Sequence, residues 1–129
     1  MAVKYLEVPH NITFMSNPNY SNSEANSNLL SLNQYVSVDL TKLDRNIEAI
    51  RNCLATNTQL WPVIKDDAYG HGAIPLAKHL SSVVHGFCVV RSSEGVGLRE
   101  AGIKQPILVF EPPDERCISL FSSHHLIAS

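Results

Sequence analysis

Long hydrophobic runs are missing from this sequence, and so is any cluster of charge of one sign. No stretch is apolar enough over enough residues to span a bilayer, so no membrane association is expected. The opening Met1-Ala2-Val3-Lys4-Tyr5-Leu6-Glu7 lacks the apolar core of a secretion signal. Lys and Arg number 10 against 12 Asp and Glu, for a net charge of -2, and the basic residues are scattered. That balance creates no strong field for nucleic acid or an anionic membrane surface, so neither is an expected partner. Cysteine is scarce: Cys53, Cys88 and Cys117 lie far apart, and no CxxC occurs. Isolated thiols in odd number point to a reduced, cytoplasmic protein rather than a disulfide scaffold. His124-His125 with Cys117 offers metal-ligand chemistry, but adjacent histidines seldom chelate one ion and no fourth ligand is evident, so no metal site is expected.

What is present divides at about residue 34. Residues 1–34 are rich in Asn and Ser and show almost no periodic apolar pattern. Such a segment cannot bury enough apolar area to offset the entropy of ordering, which predicts a disordered extension. Asn11-Ile12-Thr13 and Asn19-Tyr20-Ser21 fit the N-glycosylation pattern and, without a secretion signal, are read as chance matches in an Asn-rich tract. Residues 35–129 carry the foldable pattern. Tyr35-Val36-Ser37-Val38-Asp39-Leu40 alternates like a half-buried strand, and Leu40, Leu43, Ile47, Ile50 and Leu54 recur at helical spacing over 42–55. Thr41 with Asp44 resembles a capping box.

Further apolar runs of strand length follow at Leu60–Ile64, Gly86–Val90, Gln105–Phe110 and His125–Ala128. Pro62 is awkward in the first of these because it cannot donate to a ladder. Helices are expected over 73–82, with Pro75 in the first turn, and over 93–101, closed by Gly102. Pro112-Pro113-Asp114-Glu115 reads as the start of another helix, and Arg99 and Glu100 as a solvated helix face. Strands alternating with helices every 18–25 residues indicate parallel βαβ units, the common start of barrels and open sheets.

The feature with the most chemical content is Val63-Ile64-Lys65-Asp66-Asp67-Ala68-Tyr69-Gly70-His71-Gly72. Lys65 directly follows an apolar strand, and ligands of parallel α/β folds sit at the carboxyl ends of strands. Partial desolvation there favours the neutral amine, the form that attacks a carbonyl to give a Schiff base. Tyr69 offers a hydroxyl to a phosphate oxygen, Gly70 and Gly72 permit close backbone approach, and His71 fits the loop's own hydrogen bonding. From position alone, Lys65 reads as an ordinary solvated lysine at a strand end.

The full string changes that reading. Lys-Asp-Asp-Ala-Tyr-Gly-His-Gly resembles the cofactor-binding signature of alanine racemases, usually Lys-Ala-(Asn/Asp)-Ala-Tyr-Gly-His-Gly. The likeness runs from Tyr35 to about Phe110 and takes in Val38-Asp39-Leu40, Phe87-Cys88-Val89-Val90, Glu94 through Ile103, and Pro106-Ile107-Leu108-Val109. The resemblance implies an α/β fold, the N-terminal portion of a (β/α)8 TIM-type barrel, incomplete within these residues. It also implies pyridoxal 5'-phosphate as cofactor, L- and D-alanine as substrates, D-alanine supply for peptidoglycan and a homodimer in the full-length form. Lys65 would hold the cofactor and move a proton on one face of the substrate's α-carbon, and Tyr69 would contact the phosphate. The family's later barrel strands, its pyridine-nitrogen arginine and its second-face tyrosine have no counterpart here, so a truncated or partial form is expected. The alternatives are another pyridoxal-phosphate barrel enzyme, an amino-acid decarboxylase or other racemase, and a non-catalytic remnant of the fold. Asp66 replaces a small residue, and Gly95 and Gly97 replace larger ones at a cost of about 1 kcal/mol each in helix propensity relative to Ala.

Overall fold

The computed structural model describes residues 12–15 and 36–129, and the chain divides into two compact units, Met1–Asn52 and Cys53–Ser129. The expected disordered extension over 1–34, with Asn11 and Asn19, falls outside the described residues except for Ile12–Met15. Those four residues form strand β1, which the polar composition around them does not announce.

In the first unit β1 pairs in parallel with β2, Val36–Asp39, with Ile12 opposite Val36 and Met15 opposite Asp39. Helix α1, Leu40–Cys53, follows β2 directly. Its first turn is capped by Asp39, whose Oδ1 accepts the Lys42 amide at 3.0 Å. That carboxylate satisfies an orphan donor and faces the positive end of the helix, so Thr41 and Asp44 lie inside the helix rather than at its cap. Of the apolar stripe, Leu40 and Ile47 are buried while Ile50 is exposed.

The second unit is a parallel α/β layer. Strands β3 (Phe87–Val89), β4 (Ile107–Val109) and β5 (Ile127–Ala128) lie in sequence order, with Cys88 opposite Leu108 and Leu108 opposite Ile127. The Leu60–Ile64 segment extends this sheet beyond β3 through one bridge, Val63 to Cys88. The Cys88 amide donates to the Pro62 carbonyl and the Ile64 amide donates to the Cys88 carbonyl, both at 2.9 Å. Pro62 has no N–H to carry the regular ladder one step further back, and the next backbone bond between the two segments runs from the His85 amide to the Leu60 carbonyl at 3.0 Å. Helices α2 (Ala73–Leu80) and α3 (Ser92–Glu100) follow the first two strands, and α4 (Ile118–Ser123) follows β4. This order of parallel β/α units is the opening of a TIM-type barrel.

One face of the sheet holds the core. Phe87, Val89, Ile107 and Val109 are fully buried, with Ala77, Leu80 and Leu98 from the helices nearly so. The opposite face carries Val63, Cys88, Leu108 and Ile127, of which Val63 is 50% and Ile127 43% exposed. Gly95 explains itself on the covered face. A methyl there would lie 3.0 Å from Leu126 Cδ2 and 3.5 Å from Ile107 Cγ2, so the missing side chain sets how closely α3 approaches the sheet. Gly97 has nothing within 4 Å of such a methyl.

Arg99 departs from the expected solvated face. It is half-buried, and its guanidinium donates to four main-chain carbonyls: Ile103 at 2.8 Å, Gln105 at 2.7 Å, His124 at 2.9 Å and His125 at 3.1 Å. Partial burial lowers its pKa from the ordinary arginine value, yet it remains the donor that ties the end of α3 to the segments entering β4 and β5. Gly102 closes α3 at φ +92°, with the Ile103 amide reaching back to the Leu98 carbonyl and the Gly102 amide to Arg99, a Schellman arrangement.

The Pro112–Glu115 stretch is a turn, not the start of a helix; α4 begins at Ile118. Asp114 organises that turn by accepting the Arg116 and Cys117 amides at 2.9 and 3.1 Å and pairing with the Arg116 guanidinium. Chiefly through the Arg116 hydrogen bond, its carboxyl is pulled down to about 2.

Two expectations follow. Gly97→Ala is expected to raise stability by about 1 kcal/mol in urea unfolding, through helix propensity and a less flexible unfolded chain. Gly95→Ala gains less because of Leu126, and equal gains would contradict the close packing described for α3. A carbon-detected titration should place the Asp114 carboxyl near 2, with Arg116→Ala returning it toward roughly 3.9. Since the folded pKa is depressed, its contribution is complete above the ordinary aspartate range and lost as pH falls through about 2.

Candidate functional site

Lys65 stands where the Leu60–Ile64 segment leaves the sheet, after Ile64 has given its amide to Cys88. Ile64 is buried, and Lys65 is half-exposed. The chain then does something rare. Asp66, Asp67, Ala68 and Tyr69 all lie in the left-handed helical region, with φ between 50° and 54° and ψ between 41° and 48°. L-residues pay about 1–2 kcal/mol each for this conformation, with Asp the more tolerant of the residue types here. Gly70 at φ +82° and Gly72 at φ +86° complete the reversal into α2.

The turn is fastened at several points. The Ala68 amide donates to the Ile64 carbonyl at 3.2 Å, and the Gly72 amide to the Asp67 carbonyl at 3.0 Å. The His71 amide and its Nδ1 both reach the Ala68 carbonyl, the latter at 2.8 Å, which requires the proton on Nδ1. Asp67 Oδ1 accepts the Ala73 amide at 2.7 Å and so caps α2 from within the turn. The Asp66 amide donates to Glu94 Oε1 at 2.6 Å. Glu94 Oε2 accepts the Val90 and Arg91 amides at 3.0 and 2.8 Å, at the carboxyl end of β3. One carboxylate therefore joins the exits of two neighbouring strand segments.

Lys65 and Tyr69 are brought together. The Lys65 Nζ lies 5.5 Å from the centroid of the Tyr69 ring, within cation–π range, and Tyr69 is 69% exposed. Asp66 is exposed, and no ion pair joins its carboxylate to Lys65 among the described residues. His71 serves the loop's hydrogen bonding, as its position suggested. A cleft of about 190 Å³ opens beside the turn, lined by Ile64, Asp67, Ile74, Val89, Glu94 and Leu98 among others; Lys65 and Tyr69 do not line it. No group of three or more His, Cys, Asp or Glu side chains is placed to hold a metal ion among the described residues. No described helix is long and apolar enough to cross a membrane. Sequence reasoning missed Glu94. Its only local signal is an acidic residue in the first turn of α3, which announces a cap but not the bond to Asp66.

Comparison with known proteins places this arrangement. Residues 38–128 match the family model for the alanine racemase N-terminal domain. The alanine racemase of Lactococcus lactis subsp. cremoris strain MG1363 is 43% identical over 72 residues, which cover 56% of this chain and 20% of that protein. That of Streptococcus suis strain 98HAH33 is 43% identical over 74 residues, 57% of this chain and 20% of that protein. Among solved structures, the alanine racemase of Clostridium difficile 630 superposes with a TM-score of 0.66 at 34% identity, over 69% of this chain and 24% of that one. The chain thus spans about a fifth of the length of the curated relatives it matches.

The left-handed turn gives its own test. At Ala68, glycine should be the better residue, reversing the usual order. Ala68→Gly is expected to raise stability by about 0.5–1 kcal/mol, the left-handed penalty less the added unfolded-state entropy. A loss of stability on urea unfolding would contradict the left-handed geometry.

Proposed function

The chain belongs to the alanine racemase N-terminal domain family, and from that premise we propose that it carries the pyridoxal-phosphate lysine of an alanine racemase, with Lys65 as that lysine. The observation that supports this most is the pairing of a half-exposed amine with the Tyr69 phenol at a strand's carboxyl end, on a turn whose Asp67 carboxylate and His71 ring are engaged with the backbone.

The residues present suit the cofactor's two ends. Lys65 Nζ has no ion-pair partner among the described residues, so its attack on an aldehyde breaks no salt bridge. The Tyr69 side chain is largely exposed and leaves its hydroxyl available to a phosphate oxygen. The Ala73 amide at the start of α2 is already used by Asp67, so phosphate contact falls to Tyr69 rather than to that amide. Pyridoxal phosphate, when bound, supplies an aldehyde for the lysine and a ring that withdraws electrons from the substrate's α-carbon. Lys65 would hold the cofactor and, once its amine is free, take up or return a proton on one face of the α-carbon of alanine. Tyr69 would fix the phosphate and with it the distance between Lys65 and the reacting carbon. Racemisation of alanine, and assembly as a homodimer, belong in this proposal to the whole protein of which these β/α units form the front.

The proposal is tested by adding pyridoxal phosphate, reducing with borohydride and mapping the pyridoxyl group by peptide mass. It should sit on Lys65 in preference to exposed lysines such as Lys78 and Lys104, and Lys65→Ala should remove it. Label spread evenly over the lysines would overturn the assignment.

A further inference from the structure

Glu94 is the side chain that joins the lysine-bearing turn to the rest of the sheet, and it lies 28 residues from Asp66 in sequence. Its carboxylate accepts three backbone amides: Asp66 on Oε1, Val90 and Arg91 on Oε2. The first of these belongs to the residue after Lys65 and is the first of the four left-handed residues. The other two lie at the exit of β3 and the start of α3. A residue in a sparsely populated conformation persists only where its surroundings over-determine it. The bonds inside the turn, from Ala68, His71 and Gly72, would also form in a turn free to swing about Ile64. The Asp66–Glu94 bond fixes the turn against a neighbouring strand at the point where Lys65 emerges.

We propose that Glu94 is a positioning residue for Lys65: through the Asp66 amide it holds the left-handed turn in the orientation that presents the lysine amine to the cofactor. The inference rests on the reading of Lys65 as the cofactor lysine. The carboxylate is needed as a double acceptor. A Gln side chain of the same shape keeps one accepting oxygen and sets an NH2 group against an N–H donor, so it must release either Asp66 or the β3 exit. An Asp side chain is one methylene shorter. It keeps negative charge in the first turn of α3 and is expected to retain the nearby Val90 and Arg91 amides while losing the span to Asp66, 28 residues away. Glu94→Asp therefore separates the capping of α3 from the orientation of Lys65.

The experiment uses the 129-residue chain, its Glu94→Gln and Glu94→Asp variants, and two readouts. The first is amide hydrogen exchange at Asp66, Val90 and Arg91. The second is the ratio of pyridoxyl label trapped on Lys65 to that on Lys104 after brief exposure to pyridoxal phosphate. Glu94→Asp should speed exchange at Asp66 by roughly tenfold or more while leaving Val90 and Arg91 protected and the urea midpoint near that of the parent, and it should lower the Lys65 to Lys104 ratio by a similar factor. Glu94→Gln, despite its matching volume, should lower that ratio as well. Glu94→Asp with parental Asp66 exchange and parental labelling overturns the proposal. Faster Asp66 exchange with an unchanged labelling ratio also overturns it, since Glu94 would then hold the turn without orienting the lysine. If the parent chain itself shows no preference for Lys65, the cofactor assignment fails, and the exchange data alone decide whether Glu94 holds the turn.

Discussion

The run of left-handed residues from Asp66 to Tyr69 is the constraint around which the second unit is arranged. A strand leaving a parallel sheet must turn back along its own layer, and here it does so in a single turn of the wrong hand for L-residues. That hand brings Lys65 and Tyr69, four positions apart, to the same side within cation–π range. It also leaves the Asp66 amide outside the turn's own bonding, where it donates to an acceptor on another element. Glu94 supplies that acceptor, and α3 must then start where it does for the carboxylate to reach.

The approach of α3 to the sheet depends in turn on Gly95, the next residue. With no side chain at 95, Leu126 and Ile107 close directly on the helix backbone. Arg99, one turn further on, fixes the far end of the same helix to the carbonyls before β4 and β5. Three consecutive features of one helix, an acid at its start, a gap at its middle and a cation at its end, therefore place it against the lysine turn, the core and the returning chain.

Much of this architecture was legible in the sequence, for a physical reason. Short, wholly apolar strands such as Phe87–Val89 and Ile107–Val109 announce burial on both faces whatever their neighbours are. Gly102 and Pro75 signal local backbone geometry that needs no partner. The misses share a different character. Arg99 looks solvated because its acceptors are main-chain carbonyls, which carry no sequence signal, and two of them lie 25 and 26 residues away. Glu94 receives no role from the sequence because its bond to Asp66, 28 residues away, is non-local. The Thr41–Asp44 pattern lost to Asp39 by two positions, the usual ambiguity where several polar side chains crowd a helix start. At the site, Gly70 and Gly72 signalled close backbone approach, but nothing in Ala68 or Tyr69 declares the left-handed form, which already begins at Asp66. The likeness to a known signature pointed to Lys65 and Tyr69 without explaining how the backbone brings them side by side.

Gly86 carries one more consequence. A Cβ there would fall 2.4 Å from the ring of Trp61, so the indole lies flat over bare backbone just before β3, with its Nε1 donating to Gln59 Oε1 at 2.9 Å. Trp61 is the sole tryptophan of the chain, and it sits in the segment that ends at Lys65. The chain thus contains its own optical gauge. The emission of a single fluorophore reports whether the lysine-bearing segment is seated against β3, at a position that is spectrally separate from the four tyrosines.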